Sequence, residues 1–183
     1  MKLILIIIFT SMIFSEKVKE PTYKVIKKEG DIEIREYGTY VVAKTSISKD
    51  RNSDNNMFRT LASYIFGGNK MNESIPMTAP VTTFSDDSNY NMLFYMLDVD
   101  EINQLPEHNG QNITFEKFEL GKCAVISFSW RTSDSRIEYF SAELSNFIEE
   151  NNLKTKSPYM LNRYDPPWRL SFLRRNEILV RLD

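Results

Sequence analysis

Apolar residues recur along this chain in two rhythms. A period of two runs through residues 23–26 and 32–34 and again through 40–47, with Gly38 breaking the run as a bend or bulge does. A period near 3.6 follows: Phe58, Leu61, Ala62 and Ile65 fall at i, i+3, i+4 and i+7, and Gly67-Gly68 stops the helix they predict. Residues 76–84 and 92–99 then read as strands. The same succession returns later. Residues 113–130 alternate around Gly121, and Ile137, Phe140, Leu144, Phe147 and Ile148 form a second helical stripe. Ser135 with Glu138 predicts a capping box at its start, and Asn151-Asn152 marks its end. Residues 159–164 and 177–182 complete the pattern as strands. A ββαββ unit is thus expected twice. Neither amphipathic helix can bury its apolar face alone, so both should lie on one shared antiparallel sheet. The fold class expected is α+β, a distorted antiparallel barrel or open sheet flanked by two helices.

Comparing the chain with itself supports the duplication. A shift of 83 positions aligns Glu33, Glu36, Gly38, Val42 and Ser46 with Glu116, Glu119, Gly121, Val125 and Ser129. The same shift aligns Leu61, Ile65, Asn69, Ser74 and Met77 with Leu144, Ile148, Asn152, Ser157 and Met160. Average residue frequencies give roughly two or three such matches by chance over this span. The expected organisation is a single domain over residues 21–183, with halves at 23–100 and 106–183. Residues 50–56 and 105–111 are its clear polar loops, and the second joins the halves.

Ahead of this domain, residues 3–14 form an apolar run preceded by Lys2. At about 1.5 Å per residue the run is too short for a bilayer core of roughly 30 Å. Its length, basic start and polar sequel predict a secretory signal peptide over residues 1–15. The rest of the chain has no run long enough to span a membrane, so a secreted or secretory-lumen protein is expected. Asn72 and Asn112, each in an N-x-[ST] triplet, are candidate glycosylation sites on that route. Cys123, the one cysteine, sits in the alternation of Ala124, Ile126 and Phe128 and reads as an unreactive strand residue.

Composition removes several chemistries. Twenty-three Lys and Arg against 25 Asp and Glu give a net charge of −2, without the basic footprint that nucleic-acid binding requires. One histidine, His108, and one cysteine exclude multi-histidine and CxxC metal sites. No paired acids and no nucleophile–base pair stand out. Glu177 and Glu119, each in a strand pattern, are lone carboxylates that could serve as a general base if buried, and a Tyr beside a cavity-facing Glu would strengthen that reading. This keeps open an enzyme acting on a hydrophobic small molecule. A protein-interaction module is the third possibility, although the acidic second helix looks like an ordinary solvated face.

Three separated segments resemble one family. Residues 75–81 (IPMTAPV) follow 64–69 (YIFGGN), and 164–168 (YDPPW) precede 174–177 (RRNE). With Tyr23-x-Val25 and residues 32–37 (IEIREY), they are similar to the signatures of the SOUL haem-binding proteins, in order and with normal spacing over residues 21–182. The resemblance implies a duplicated βαββ-type fold like the effector-binding domain of bacterial multidrug-responsive regulators. It also implies non-covalent binding of haem or another tetrapyrrole in an apolar groove beside the first helix, with no catalytic core.

A porphyrin needs apolar contacts for its faces and cations for its propionates. Met57, Phe58, Leu61, Ala62 and Ile65 are the candidate apolar contacts on the first helix. Arg59 could reach propionates, and Arg169, Arg174 and Arg175 lie in the C-terminal loop with Trp168, a stacking ring or a plug over the barrel end. Leu61 and Ile65 read equally as core, and the arginines as solvated surface. No spacing selects an iron ligand, and His108 lies in a polar connector. The expected partner is a small hydrophobic planar ligand bound by a monomer. The first helix is expected to bear the site, because the second carries Glu138, Glu143, Glu149 and Glu150 where the first has no acid.

Overall fold

The computed structural model describes residues 18–49 and 56–183; the leader expected over 1–15 and most of the 50–56 loop lie outside the described residues. Nine strands and two α-helices follow one another as β1 (Tyr23–Glu29), β2 (Ile32–Tyr37), β3 (Thr39–Ser48), α1 (Met57–Ile65), β4 (Val81–Ser85), β5 (Asn89–Tyr95), β6 (Thr114–Glu119), β7 (Lys122–Phe128), α2 (Asp134–Glu150), β8 (Met160–Arg163) and β9 (Asn176–Arg181). All pairings in the sheet are antiparallel, in the order β1-β2-β7-β9-β8-β4-β5-β3-β6. The sheet is curled into a half-barrel with edges at β1 and β6. Exchanging β2–β5 with β6–β9 returns the same order read from the other edge, with β4 and β8 meeting at the centre. β1 alone lies outside this exchange.

Side-chain alternation sends each central strand to two cores. Ala124 and Ile126 of β7 join Leu144, Phe147 and Ile148 beneath α2. Val41 and Ala43 of β3 join Met57, Leu61, Tyr64 and Ile65 beneath α1. The intervening residues face the hollow of the curl, where Val42, Leu93, Tyr95, Cys123, Val125 and Leu179 pack together. Strands buried on both faces explain the near-continuous apolar runs of β7 and β9. β1, by contrast, is exposed along its whole length, although the sequence gives it the same alternation as its neighbours.

Two boundary expectations are corrected. Only Val81–Ser85 of the strand expected over 76–84 joins the ladder. Before it, Thr78 donates from Oγ1 to the Tyr95 carbonyl at 2.6 Å and the Ala79 N–H donates to the Lys19 carbonyl. The second helix starts at Asp134 behind Ser133, so Ser135 and Glu138 already lie inside it and form no capping box. Asp134 instead places a negative charge at the helix's positive end.

After α1, Gly67 takes φ +96°, a conformation glycine adopts without steric cost. A Cβ on Gly68 would stand 2.5 Å from the Ser63 carbonyl oxygen, so the chain can fold back here only without a side chain. Asn69, fully buried, then ties the loop: its Nδ2 donates to the carbonyls of Tyr64 and Glu73, and its Oδ1 accepts from the Met71 and Glu73 N–H groups. The segment 64–69 is therefore a loop-closing device.

Candidate functional site: a groove between the two helices

α1 and α2 cover opposite halves of the same sheet face and leave an open groove between them, with a volume of about 920 Å³. Register builds its floor. Met92, Thr83, Leu161 and Ile178 are successive partners across β5, β4, β8 and β9, so all four point to the helix side. Ile47 and Met57 close one wall; Ile137 and Ser141, one turn apart on α2, form the other.

At one end of the floor stands Arg163, two residues beyond Leu161 on the same face of β8. Its Nε donates to Thr132 Oγ1 and its Nη1 to Thr83 Oγ1, both at 3.1 Å. Burial pulls its pKa below the ordinary value, and among the described residues no carboxylate pairs with it. A largely buried guanidinium held only by two hydroxyls retains donors for an anionic ligand group. Lys49 and Asp134 also border the groove, Lys49 with its ammonium donated to the Asp86 carbonyl.

Of the side chains expected to contact ligand, Met57 lines this groove. Leu61 and Ile65 are spent on the core beneath α1, and Ala62 is half-buried. Phe58 is exposed and meets Phe94 edge-on at 5.5 Å, while Arg59 points to solvent on the outer side of the helix. Trp168 is 83% exposed, and Arg169 pairs with Asp165 at 3.1 Å. The structure thus puts the groove on the inner flank of α1, facing α2. Sequence reasoning missed Arg163, Met92 and Ser141, because nothing in one strand's pattern tells which neighbours register will bring beside it. His108 lies away from the groove, with Nδ1 accepting from the Gly110 N–H at 3.2 Å.

The hollow of the curl holds a second polar cluster, and it involves Glu177. This carboxylate, 2% exposed, accepts both terminal nitrogens of Arg35 at 3.1 Å, Ser127 Oγ at 3.3 Å and the Tyr164 hydroxyl at 2.5 Å. Arg35 also donates from Nε to Glu33 at 2.7 Å and from Nη1 to Tyr37 at 3.0 Å, and Tyr23 covers its guanidinium at 4.2 Å. Burial raises the Tyr164 and Tyr37 phenols well above their ordinary pKa, so both stay protonated. Glu119, the other lone acid, is exposed. Cys123 is fully buried, and burial pushes its thiol up to about 12, which leaves it inert.

A curled antiparallel sheet carries two helices on one face, with an open groove of mixed polar and apolar lining between them. The model of the SOUL heme-binding protein family matches residues 18–181, nearly the whole chain, and the protein belongs to that family. Among curated proteins no sequence matches it. Solved structures share its fold at low identity. An uncharacterized conserved protein from Listeria innocua superposes with a TM-score of 0.63 at 12% identity, covering 84% of this chain and 92% of that one. The EcmrR C-terminal domain gives 0.61 at 14% identity, covering 88% and 98%. A hydrolase from Listeria innocua gives 0.56 at 13% identity, covering 86% and 94%.

Proposed function

We propose that the chain binds haem or a related tetrapyrrole non-covalently in the groove between α1 and α2, as a carrier or buffer without turnover. The observation that carries this reading is the pairing of a largely apolar floor with a half-buried cation that no carboxylate pairs among the described residues, in a member of a haem-binding family. The groove's volume of about 920 Å³ lies in the range that receives small-molecule ligands. Met92, Leu161, Ile178 and Ile137 would hold the macrocycle faces, and Arg163 a propionate. Met57, Met92 and Met160 are the soft donors that border the space, and bound haem would supply an iron centre to them. Titration of the purified protein with haemin tests the reading: a saturable Soret shift is expected at tens of micromolar protein or below, and its absence there overturns it.

A second reading, an enzyme acting on a hydrophobic small molecule, draws on the buried Glu177 with Tyr164 beside it and on the hydrolase among the structural neighbours. Against it, the Glu177 carboxylate is 2% exposed, is tied to Arg35, Ser127 and Tyr164, and does not line the groove. The carrier reading is preferred on that ground.

The leader expected over residues 1–15 assigns this carrier to the secretory route. Of the two sequons, both exposed, Asn112 donates its Nδ2 to the Ser46 carbonyl at 2.8 Å, whereas the side chain of Asn72 makes no such bond. Glycosidase treatment of protein from a secreting eukaryotic host should therefore release one glycan, at Asn72. Unmodified Asn72 in protein that has entered that route would count against it.

A further inference from the structure

Two loops at the Arg163 end of the groove carry a cluster of apolar side chains that the cores do not use. Trp130 lies between β7 and α2; Trp168, Leu170, Phe172 and Leu173 lie between β8 and β9, and each of the five is more than half exposed. Trp130 takes φ +79°, a region that bulky side chains rarely enter. Two hydrogen bonds hold it there: its N–H donates to the Ser171 carbonyl, and its carbonyl accepts Asn176 Nδ2, both at 2.9 Å. Its ring thereby stands 6.3 Å from Phe172, which joins the two loops into one surface.

Six backbone carbonyls of this knob are closed within it. The carbonyls of Pro166, Pro167, Arg169, Leu170, Ser171 and Leu173 all accept hydrogen bonds from within the same pair of loops. Carbonyls satisfied in this way need no partner from lipid, which supplies none. The charges point the same way. Asp165 is taken up by Arg169 and by the Arg175 N–H, while Arg131 and Arg174 make no ion pair among the described residues. Exposed Trp, Phe and Leu beside unpaired arginines match the headgroup boundary of an anionic bilayer, where indole rings settle and cations meet phosphates.

We propose that these two loops are a membrane-docking surface, in which the five apolar side chains enter the interface of an anionic bilayer and Arg131 rests against its phosphates, while Arg174, tied to the Pro167 and Arg169 carbonyls, adds positive charge. Thr132, two residues beyond Trp130, holds the Arg163 guanidinium, so docking would turn this end of the groove toward the lipid. An amphipathic ligand dissolved in the membrane could then pass into the groove. The surface is argued from the loops themselves and does not depend on what the groove binds.

The test is co-sedimentation of the haem-free protein with vesicles of phosphatidylcholine containing about 30 mol % phosphatidylserine. Wild-type protein should pellet with the vesicles, and Trp168→Ala/Phe172→Ala should weaken that partitioning about tenfold or more with an unchanged thermal melt, since both side chains are exposed. Arg131→Glu should weaken binding to the anionic vesicles and leave binding to pure phosphatidylcholine as it was. A wild-type protein that stays in the supernatant overturns the proposal. So does a double variant that binds as wild type does, or one that dissociates an oligomer without changing vesicle binding. Because no haem is present, failure here is distinct from failure of the haemin titration.

Discussion

Replacing Arg35 with Met should lower the folding stability by about 3–5 kcal/mol, because the change strands a buried carboxylate. In a domain of this size that is a fall in Tm of about 6–20 °C. The reason lies in how closed the cluster is. Glu177 cannot recover water at 2% exposure, and Ser127 and Tyr164 supply hydrogen bonds but no charge. Removing both charges, as Arg35→Met/Glu177→Gln, should recover most of the loss, since the cost of a broken buried pair belongs to the abandoned ion rather than to the bond itself. Urea melts of the two single variants and the double measure this directly. Additive losses would mean that the two groups do not act as a pair. Glu33 at the same cluster adds a pH dependence. Burial pushes its carboxyl up, but the hydrogen bonds and charges of Lys28 and Arg35 bring it below its ordinary value. A folded-state pKa below the unfolded one means that this contribution is present at neutral pH and fades as the pH falls through the lowered value.

The cluster also ties down the exposed edge of the sheet. Lys28 of β1 pairs with Glu33, Tyr23 of β1 lies over Arg35, and Glu20 ahead of β1 pairs with Arg175, whose guanidinium rests on the Tyr164 ring at 3.5 Å. β1 buries none of its own residues, so it is attached by these contacts, by the ladder to β2, by Tyr23 against Tyr37 and by Lys27, which lies over Phe147 and donates to Asn151. Arg35→Met should accordingly loosen the segment from 18 to 29 ahead of the rest, visible as early hydrogen exchange of the β1 amides.

Much of this architecture was legible in the sequence, and the reasons are specific. The helical stripes of Leu61–Ile65 and Leu144–Ile148 and the strands around them are one-dimensional patterns, and the 83-residue offset already carried the exchange symmetry that the sheet order displays. Arg35 was not legible. In β2 the alternation Ile32, Glu33, Ile34, Arg35 reads as polar-out, and only the curl of the sheet turns that polar face inward. The groove between the helices was not legible for a related reason. Phe58 and Arg59 stand out by their place on one helix, whereas the groove is made by register across four strands and by the distance between two helices. Glu177 was recognised as a carboxylate in a strand; its partner was 142 residues away.

The largest functional effect is expected from closing the groove. Ser141 lies half-buried on the groove wall of α2, with open space before it. Ser141→Trp should fill part of that space with an indole and lower haemin affinity about tenfold or more, while the melt stays close to wild type because no core residue is displaced. Arg163→Gln separates shape from charge. Hydrogen bonds to charged groups contribute about 1.5–3 kcal/mol, so losing one to a propionate should weaken haemin about tenfold to a hundredfold. The dimethyl ester of the same porphyrin lacks that anion, and its affinity should be nearly equal for wild type and Arg163→Gln, yet still low for Ser141→Trp. Spectroscopic titrations of both ligands against the three proteins give six affinities that must fall in this pattern. Arg59→Glu supplies the opposing result: if it weakens haemin while Ser141→Trp and Arg163→Gln do not, the ligand lies on the outer flank of α1, and the groove between the helices is not the site.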